Sequence, residues 1–97
     1  MQWHIESNRI YATDDSNQLL AEITFPALHN DVVDINHTFV SPALRGQGVA
    51  GQLMEKAVWQ IKSTGRRCRA SCSYAVQWMQ RHPEWADILD NEQAAAD

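Results

Sequence analysis

Two glycines two residues apart, in Arg45-Gly46-Gln47-Gly48-Val49-Ala50, lie between a β-like run ending in Phe39-Val40 and a helix-like run. No other segment restricts the fold as strongly. Glycine lacks Cβ, so the backbone there can turn tightly and let a ligand approach closely. The first N–H groups of a helix have no internal partner, and the helix dipole favours negative charge beside them. A strand, a glycine loop and a helix N-terminus in this order make a pocket for a phosphate. The spacing is not a P-loop, because no Gly-Lys-Ser/Thr follows. Nor is it the dinucleotide fingerprint, because Gly46, Gly48 and Gly51 do not fit G-x-G-x-x-G. It does fit Arg/Gln-x-x-Gly-x-Gly/Ala, read as Arg45, Gly48 and Ala50.

The flanking periodicities place this loop in an α/β (α+β) domain. Arg9 to Thr13 reads as a short strand, and Asp14 to Asn17 as a turn. From Gln18 to Phe25 the residues Leu19, Ala21, Ile23 and Phe25 alternate on one face, which is strand spacing. A loop over 27–30 follows Pro26. A single strand over 31–40 then puts Val33, Ile35, His37 and Phe39 on one side. Three strands joined by short turns predict an antiparallel meander. Ser41-Pro42 ends the sheet. The next helix carries Val49, Leu53, Ala57 and Ile61 on one stripe beside Met54 and Val58, with Gly65 as its stop. Trp59 falls off that stripe, so partial exposure is expected. Residues 67–73 read as a strand with Cys68, Ala70 and Cys72 on one face. Strand, helix, strand in this order predicts a parallel pair with a right-handed crossover. Helical stretches over 74–81 and from Pro83 complete one domain over 1–97, with a core of about 9–90 and a flexible tail over 91–97.

With 97 residues, 44% of them hydrophobic, the chain can bury one modest core. No apolar run approaches the roughly 20 residues of a membrane span. Met1 to Ile5 has neither the basic flank nor the apolar core of a signal peptide. A cytoplasmic protein without a membrane partner is therefore expected. Cys68 and Cys72, four apart on a strand, would lie about 13 Å apart, beyond the roughly 7 Å limit for a disulfide. They are expected to be free thiols, and two cysteines are too few for a structural zinc site. No metal is expected. The net charge of −4 is unevenly spread. Residues 1–40 carry Arg9 against six acids, residues 41–81 carry seven Lys or Arg against Glu55 alone, and residues 82–97 carry five acids. An acidic chain with a basic middle suits a small polyanion better than nucleic acid.

The motif at Arg45, Gly48 and Ala50 is similar to the pyrophosphate-binding signature of the GNAT acetyltransferases. Four segments recur in order in the short, stand-alone YjdJ-like branch, which the chain resembles over about 9–90. They are Asn36 to Pro42, Arg45 to Ala50, Ala70 to Ala75, and His82-Pro83-Glu84-Trp85. The resemblance implies an acetyl-CoA site in a sheet that splays between two parallel strands, here 31–40 and 67–73. Backbone N–H groups of Gly46, Gln47, Gly48, Val49 and Ala50, beside Arg45, would hold the diphosphate. Backbone groups near Phe39 and Val40 would pair with the pantetheine arm. The thioester would then lie within reach of Cys72 and His37. The implied activity is N-acetyl transfer to an amine or peptide, with a non-catalytic acyl-CoA-binding or protein-interaction module as the alternative.

Each site residue also has a structural reading. His37 shares its face with Val33, Ile35 and Phe39, so it is either a buried histidine or a base for an attacking amine. Cys72 is either a small hydrophobe or a thiol that accepts acetyl or protonates the leaving sulfur. The family resemblance singles out that position, whereas Cys68 reads as packing. Arg66, Arg67 and Arg69 read as solvated charge near a helix end, with a CoA phosphate contact as the alternative. Typical GNAT enzymes are longer and build the acceptor pocket from further helices and a C-terminal strand pair. Little of this chain is left for those elements. The acceptor and the oligomeric state are not legible, with a monomer slightly favoured.

Overall fold

The computed structural model describes residues 1–90. The tail expected over 91–97 lies outside the described residues. The strands are β1 (Gln2–Ile5), β2 (Arg9–Thr13), β3 (Leu19–Thr24), β4 (Ala27–His29), β5 (Val32–Ile35), β6 (His37–Val40) and β7 (Arg67–Ala70). The helices are α1 (Val49–Ser63) and α2 (Ser73–Arg81), with 3-10 turns at Pro42–Leu44 and Pro83–Ile88. One sheet has the order β1-β2-β3-β6 and is antiparallel throughout. The other has the order β4-β5-β7, with β5 and β7 parallel. This is the expected mixed fold, with its meander, its parallel pair across a helix and its short C-terminal helices.

Two strands lie where none was expected. β1 has only four residues and no turn signal before it, yet it pairs with β2 along its whole length. β4 forms a hairpin with β5 around Asn30 and Asp31, whose φ angles are 40° and 64°. Two consecutive left-handed residues match the strand twist in a two-residue turn, and Asn and Asp tolerate that conformation best after glycine.

The single strand expected over 31–40 is in fact two. Asn36 belongs to neither sheet, and the chain passes at that point from β5 in one sheet to β6 in the other. The irregular residue shifts the alternation by one. Val33 and Ile35 are buried as expected, but beyond Asn36 it is Thr38 and Val40 that lie opposite the buried Ile23 and Ala21. His37 and Phe39 share the opposite face with Glu22. Strand β7 likewise ends at Ala70 rather than 73, so Cys72 is the residue that caps α2.

Helix α1 buries the whole expected stripe of Val49, Leu53, Met54, Ala57, Val58 and Ile61. That stripe packs on Ile10, Ala12, Ala21 and Ile23 of the antiparallel sheet and joins Val33, Ile35, Cys68 and Ala70 in one core. The helix stops where Gly65, at φ 72°, donates to Lys62 O while Arg66 donates to Ile61 O. These are the two bonds of a Schellman ending, for which glycine carries the left-handed residue at no steric cost. Trp59 is exposed and meets the edge of Trp85. No helix among the described residues is long and apolar enough to cross a membrane.

Candidate active site

The loop enters α1 with its amides open. Gln47 N–H donates to Leu44 O, and the first helical bond runs from Gln52 N–H to Gly48 O. Among the described residues, the N–H groups of Gly46, Gly48, Val49, Ala50 and Gly51 have no protein acceptor. Of the expected amide donors, only Gln47 is spent internally. Gly48 is the N-cap of α1, at φ 76°. A Ser, Thr, Asn or Asp there would turn its own oxygen onto the second or third helical amide; glycine leaves both free. Gly46 lies at φ 83°, and a Cβ on either glycine would meet nothing within 4 Å. The requirement for glycine is therefore in the backbone angle, and the space in front of the loop is open. A diphosphate, which needs several donors converging from one side, fits this set.

A cleft of about 160 Å3 starts at the loop. Its walls include Val40, Leu44, Arg45, Val49 and Tyr74. In the sequence Tyr74 falls within the Ala70 to Ala75 segment and the helical stretch over 74–81, with no role of its own. What brings it here is its place in the first turn of that helix, directly after Cys72 and Ser73. Burial raises the pKa of its phenol, and the Arg81 guanidinium acts in the opposite direction. The phenol therefore stays protonated at neutral pH and can donate a hydrogen bond.

The two sheets part between β5 and β6, the strand whose Val40 lines this cleft. Strands β5 and β7 stay paired as far as Ile35 and Ala70. The Ser71 and Cys72 amides then both donate to Ile35 O, at 3.1 and 3.2 Å. Beyond that carbonyl, β6 pairs only with β3, and its other edge is free among the described strands. The bond from Ser41 N–H to Leu20 O fixes the parity of β6. Hydrogen-bonded and non-bonded positions alternate along an antiparallel pair. The backbone of Phe39 therefore turns to β3, while those of Thr38 and Val40 turn to the open edge. Of the two expected pantetheine partners, Val40 has its backbone groups on that side.

Cys72 sits at this opening. Its Sγ lies 3.5 Å from Thr38 Oγ1, so the contact spans the two diverging strands. Partial burial pushes its pKa up, but the Thr38 hydroxyl and the amides of Ala75, Tyr74 and Thr38 outweigh this and hold it below the ordinary thiol value. The two α2 amides act as dipoles facing the sulfur without forming a regular capping bond. Cys68 is the opposite case: burial, then Asp34 and Asp90, push its pKa up to about 12. Both cysteines are free. Iodoacetamide at pH 7.5 is expected to label Cys72 at least tenfold faster than Cys68, because only a thiolate is a strong nucleophile. Peptide mass mapping of a time course reads this directly, and equal rates would contradict the difference between the two environments.

His37 is not buried, contrary to one of its two sequence readings. Its side chain is about half exposed, and Nε2 lies 3.4 Å from Glu22 Oε1. Glu22 is held in turn by Arg9 Nε at 2.6 Å. His37 thus lies next to Thr38 in sequence but on the opposite face of β6, and no contact joins it to Cys72. The three arginines around β7 serve the fold. Arg66 donates to Ser7 O, Arg67 to Leu89 O, and Arg69 pairs with Asp90. The His82-Pro83-Glu84-Trp85 segment is also structural: His82 stacks on Trp78 at 3.8 Å, and Pro83 opens the last 3-10 turn.

A glycine loop with open amides, a cleft and two strands that diverge beside it define an anion-binding α/β fold, and known proteins share it. The family model described as GCN5-related N-acetyl-transferase matches residues 9–88. A solution structure of a GCN5-like N-acetyltransferase candidate from Staphylococcus aureus is 32% identical. The match covers 92% of this chain and 87% of that one, with a TM-score of 0.75. A crystal structure of a candidate phosphinothricin N-acetyltransferase superposes with a TM-score of 0.61 at 22% identity. That match covers 81% of this chain and 54% of the other, and shows the fold alone. No curated protein matches. The chain belongs to the GCN5-related N-acetyl-transferase family.

Proposed function

We propose that this protein binds acetyl-CoA and transfers the acetyl group to an amine, as a member of the short YjdJ-like branch. The observation that carries the reading is the set of five unpartnered amides at residues 46 and 48–51. They stand at the head of a cleft that also takes in Val40 of β6 and Tyr74 of α2. Acetyl-CoA supplies an activated acetyl thioester. The loop amides and Arg45 hold the diphosphate, and the open edge of β6 orients the arm toward Cys72. The Cys72 thiol, with its lowered pKa, is the reactive group beside the thioester. As a thiolate it accepts the acetyl group; as a thiol it gives a proton to the departing sulfur. The proton that the acceptor amine loses goes to water or to His37, which pairs with Glu22 of β3 on the outer face of that sheet.

A second reading has its own support. Helices α1 and α2 and the last 3-10 turn share one core on one side of the sheets. Among the described residues, no helix lies over the face of Arg9, Glu22 and His37. With so little to enclose an acceptor, a module that binds acyl-CoA without transfer is the alternative.

Thermal unfolding with acetyl-CoA, CoA and ATP tests the binding step. A ligand at about 100 times its dissociation constant adds roughly 2.7 kcal/mol to the folded state. Acetyl-CoA and CoA are expected to reach that stabilisation at concentrations where ATP does not. Equal stabilisation by ATP would indicate a general phosphate binder, and no stabilisation by any of the three would remove the acetyl-CoA reading.

A further inference from the structure

Asp34 is a carboxylate that the fold does not need for an ion pair. It lies on β5 opposite Arg69 of β7, but it is Asp90 that pairs with Arg69. Asp34 Oδ2 accepts a hydrogen bond from the Ser71 hydroxyl at 2.7 Å. Its other oxygen, Oδ1, is buried without a hydrogen-bond partner, the one such side-chain atom among the described residues. A buried acceptor left without a donor destabilises a fold, so neither packing nor solvation explains a carboxylate at this position.

What the carboxylate holds is the turn that carries Cys72. Strand β7 ends at Ala70, α2 begins at Ser73, and Cys72 is the cap between them. The Ser71 and Cys72 amides converge on one carbonyl, that of Ile35. A single acceptor is a single point, about which the turn can pivot. The bond from Ser71 to Asp34 adds a second point, one residue back along β5. Two points on neighbouring residues of one strand set the direction in which Cys72 leaves the sheet. Asp34 is itself fixed, because its N–H donates to Pro26 O at 2.9 Å. The Thr38 contact cannot replace this tie, since a thiol is a weak hydrogen-bonding group.

We propose that Asp34 is a positioning residue for Cys72, and that it acts through the Ser71 hydroxyl. The bond between them keeps the sulfur beside Thr38 and the first amides of α2, where the two sheets diverge. The inference rests on the reading of Cys72 above as the reactive group.

The test compares Ser71→Ala, Ser71→Thr, Asp34→Ala and the double alanine variant with the wild type. Two quantities are measured: turnover of acetyl-CoA with a panel of small primary amines, and iodoacetamide labelling of Cys72 at pH 7.5. Ser71 is exposed, so Ser71→Ala keeps the fold. It is expected to lower kcat about tenfold, the scale of a displaced reactive group, with KM for acetyl-CoA within about twofold of the wild type. Labelling should slow at least about threefold, because a sulfur that swings away from Thr38 and the α2 amides is less often a thiolate. Ser71→Thr keeps a hydroxyl and should bring both quantities back to within about twofold. Asp34→Ala should match Ser71→Ala, and the double variant should be no worse than either, since each removes the same bond. If Asp34→Ala does not fold, the two Ser71 variants decide the matter alone. Unchanged labelling in Ser71→Ala, a KM that rises as kcat falls, a Ser71→Thr that does not recover, or additive losses in the double variant would each overturn the inference. Labelling needs no substrate, so it decides the positioning even where the wild type transfers no acetyl group; that result counts against the transfer reading alone.

Discussion

Gly48→Val is expected to leave a folded protein whose affinity for acetyl-CoA has fallen at least 100-fold. Gly48 holds φ 76°, where an L side chain costs about 1–2 kcal/mol. A Cβ there would meet no neighbour within 4 Å, so the cost lies in the backbone and not in a clash. The chain escapes it by rotating the loop out of the left-handed region, which turns the Val49 and Ala50 amides away from the cleft. A hydrogen bond to a charged group contributes about 1.5–3 kcal/mol, so two misdirected amides account for the expected fall. Gly51→Ala is the control. Gly51 has no left-handed angle, and its added Cβ would lie 3.9 Å from the Tyr74 hydroxyl, an ordinary contact. Its affinity should stay within about threefold of the wild type. If Gly48→Val binds as well as Gly51→Ala in the same titration, the loop amides are not the anion site.

The second large effect is expected at Cys72. Cys72→Ala should lower turnover at least about 100-fold, with acetyl-CoA affinity within about threefold of the wild type and stability within about 1 kcal/mol. The residue is only partly buried at the margin of the core, and Thr38 Oγ1 is the one side chain that its sulfur hydrogen-bonds among the described residues. Wild-type turnover should rise with pH through the titration of the thiol where the thiolate accepts the acetyl group, and fall through it where the thiol protonates the departing sulfur. The midpoint should fall below the ordinary value of 9.0, because the Thr38 hydroxyl and nearby amides favour the thiolate over the thiol. His37→Ala should cost less, since that ring contacts Glu22 and not the sulfur. Retention of full activity in Cys72→Ala would move the chemistry to direct attack by the amine. Failure of the wild type to acetylate any member of a broad amine panel, with acetyl-CoA bound, would favour the binding module.

The elements that follow from local periodicity were legible in the sequence. The α1 stripe, the Gly65 stop and the β2–β3 alternation needed only spacing and glycine chemistry. The loop was legible too, because Gly46 and Gly48 sit where a strand gives way to a helix. What could not be read was the break at Asn36. In the sequence, Val33, Ile35, His37 and Phe39 continue one even alternation, and nothing local says that the chain changes sheets in its middle. Only the pairing of residues 32–35 with 67–70, and of 37–40 with β3, fixes that. The same break explains why His37 faces outward and why Thr38, not proposed from the sequence, is the residue that touches Cys72. Tyr74 was hidden for a related reason. Its role depends on the direction in which α2 leaves β7, which is a tertiary fact.

The passage at Asn36 has a mechanical consequence. A wedge whose apex is one residue wide, pinned where Thr24 Oγ1 donates to Asn36 Oδ1 at 2.6 Å, can open further only if one sheet pivots against the other. Helix α1 packs against β2, β3, β6 and β7, so such a pivot would shear the single core. The aperture is therefore preset. On the acetyl-CoA reading, the ligand would thread into it by its narrow arm instead of being enclosed by a moving cover, and the spent molecule would leave by the mouth through which the next one enters.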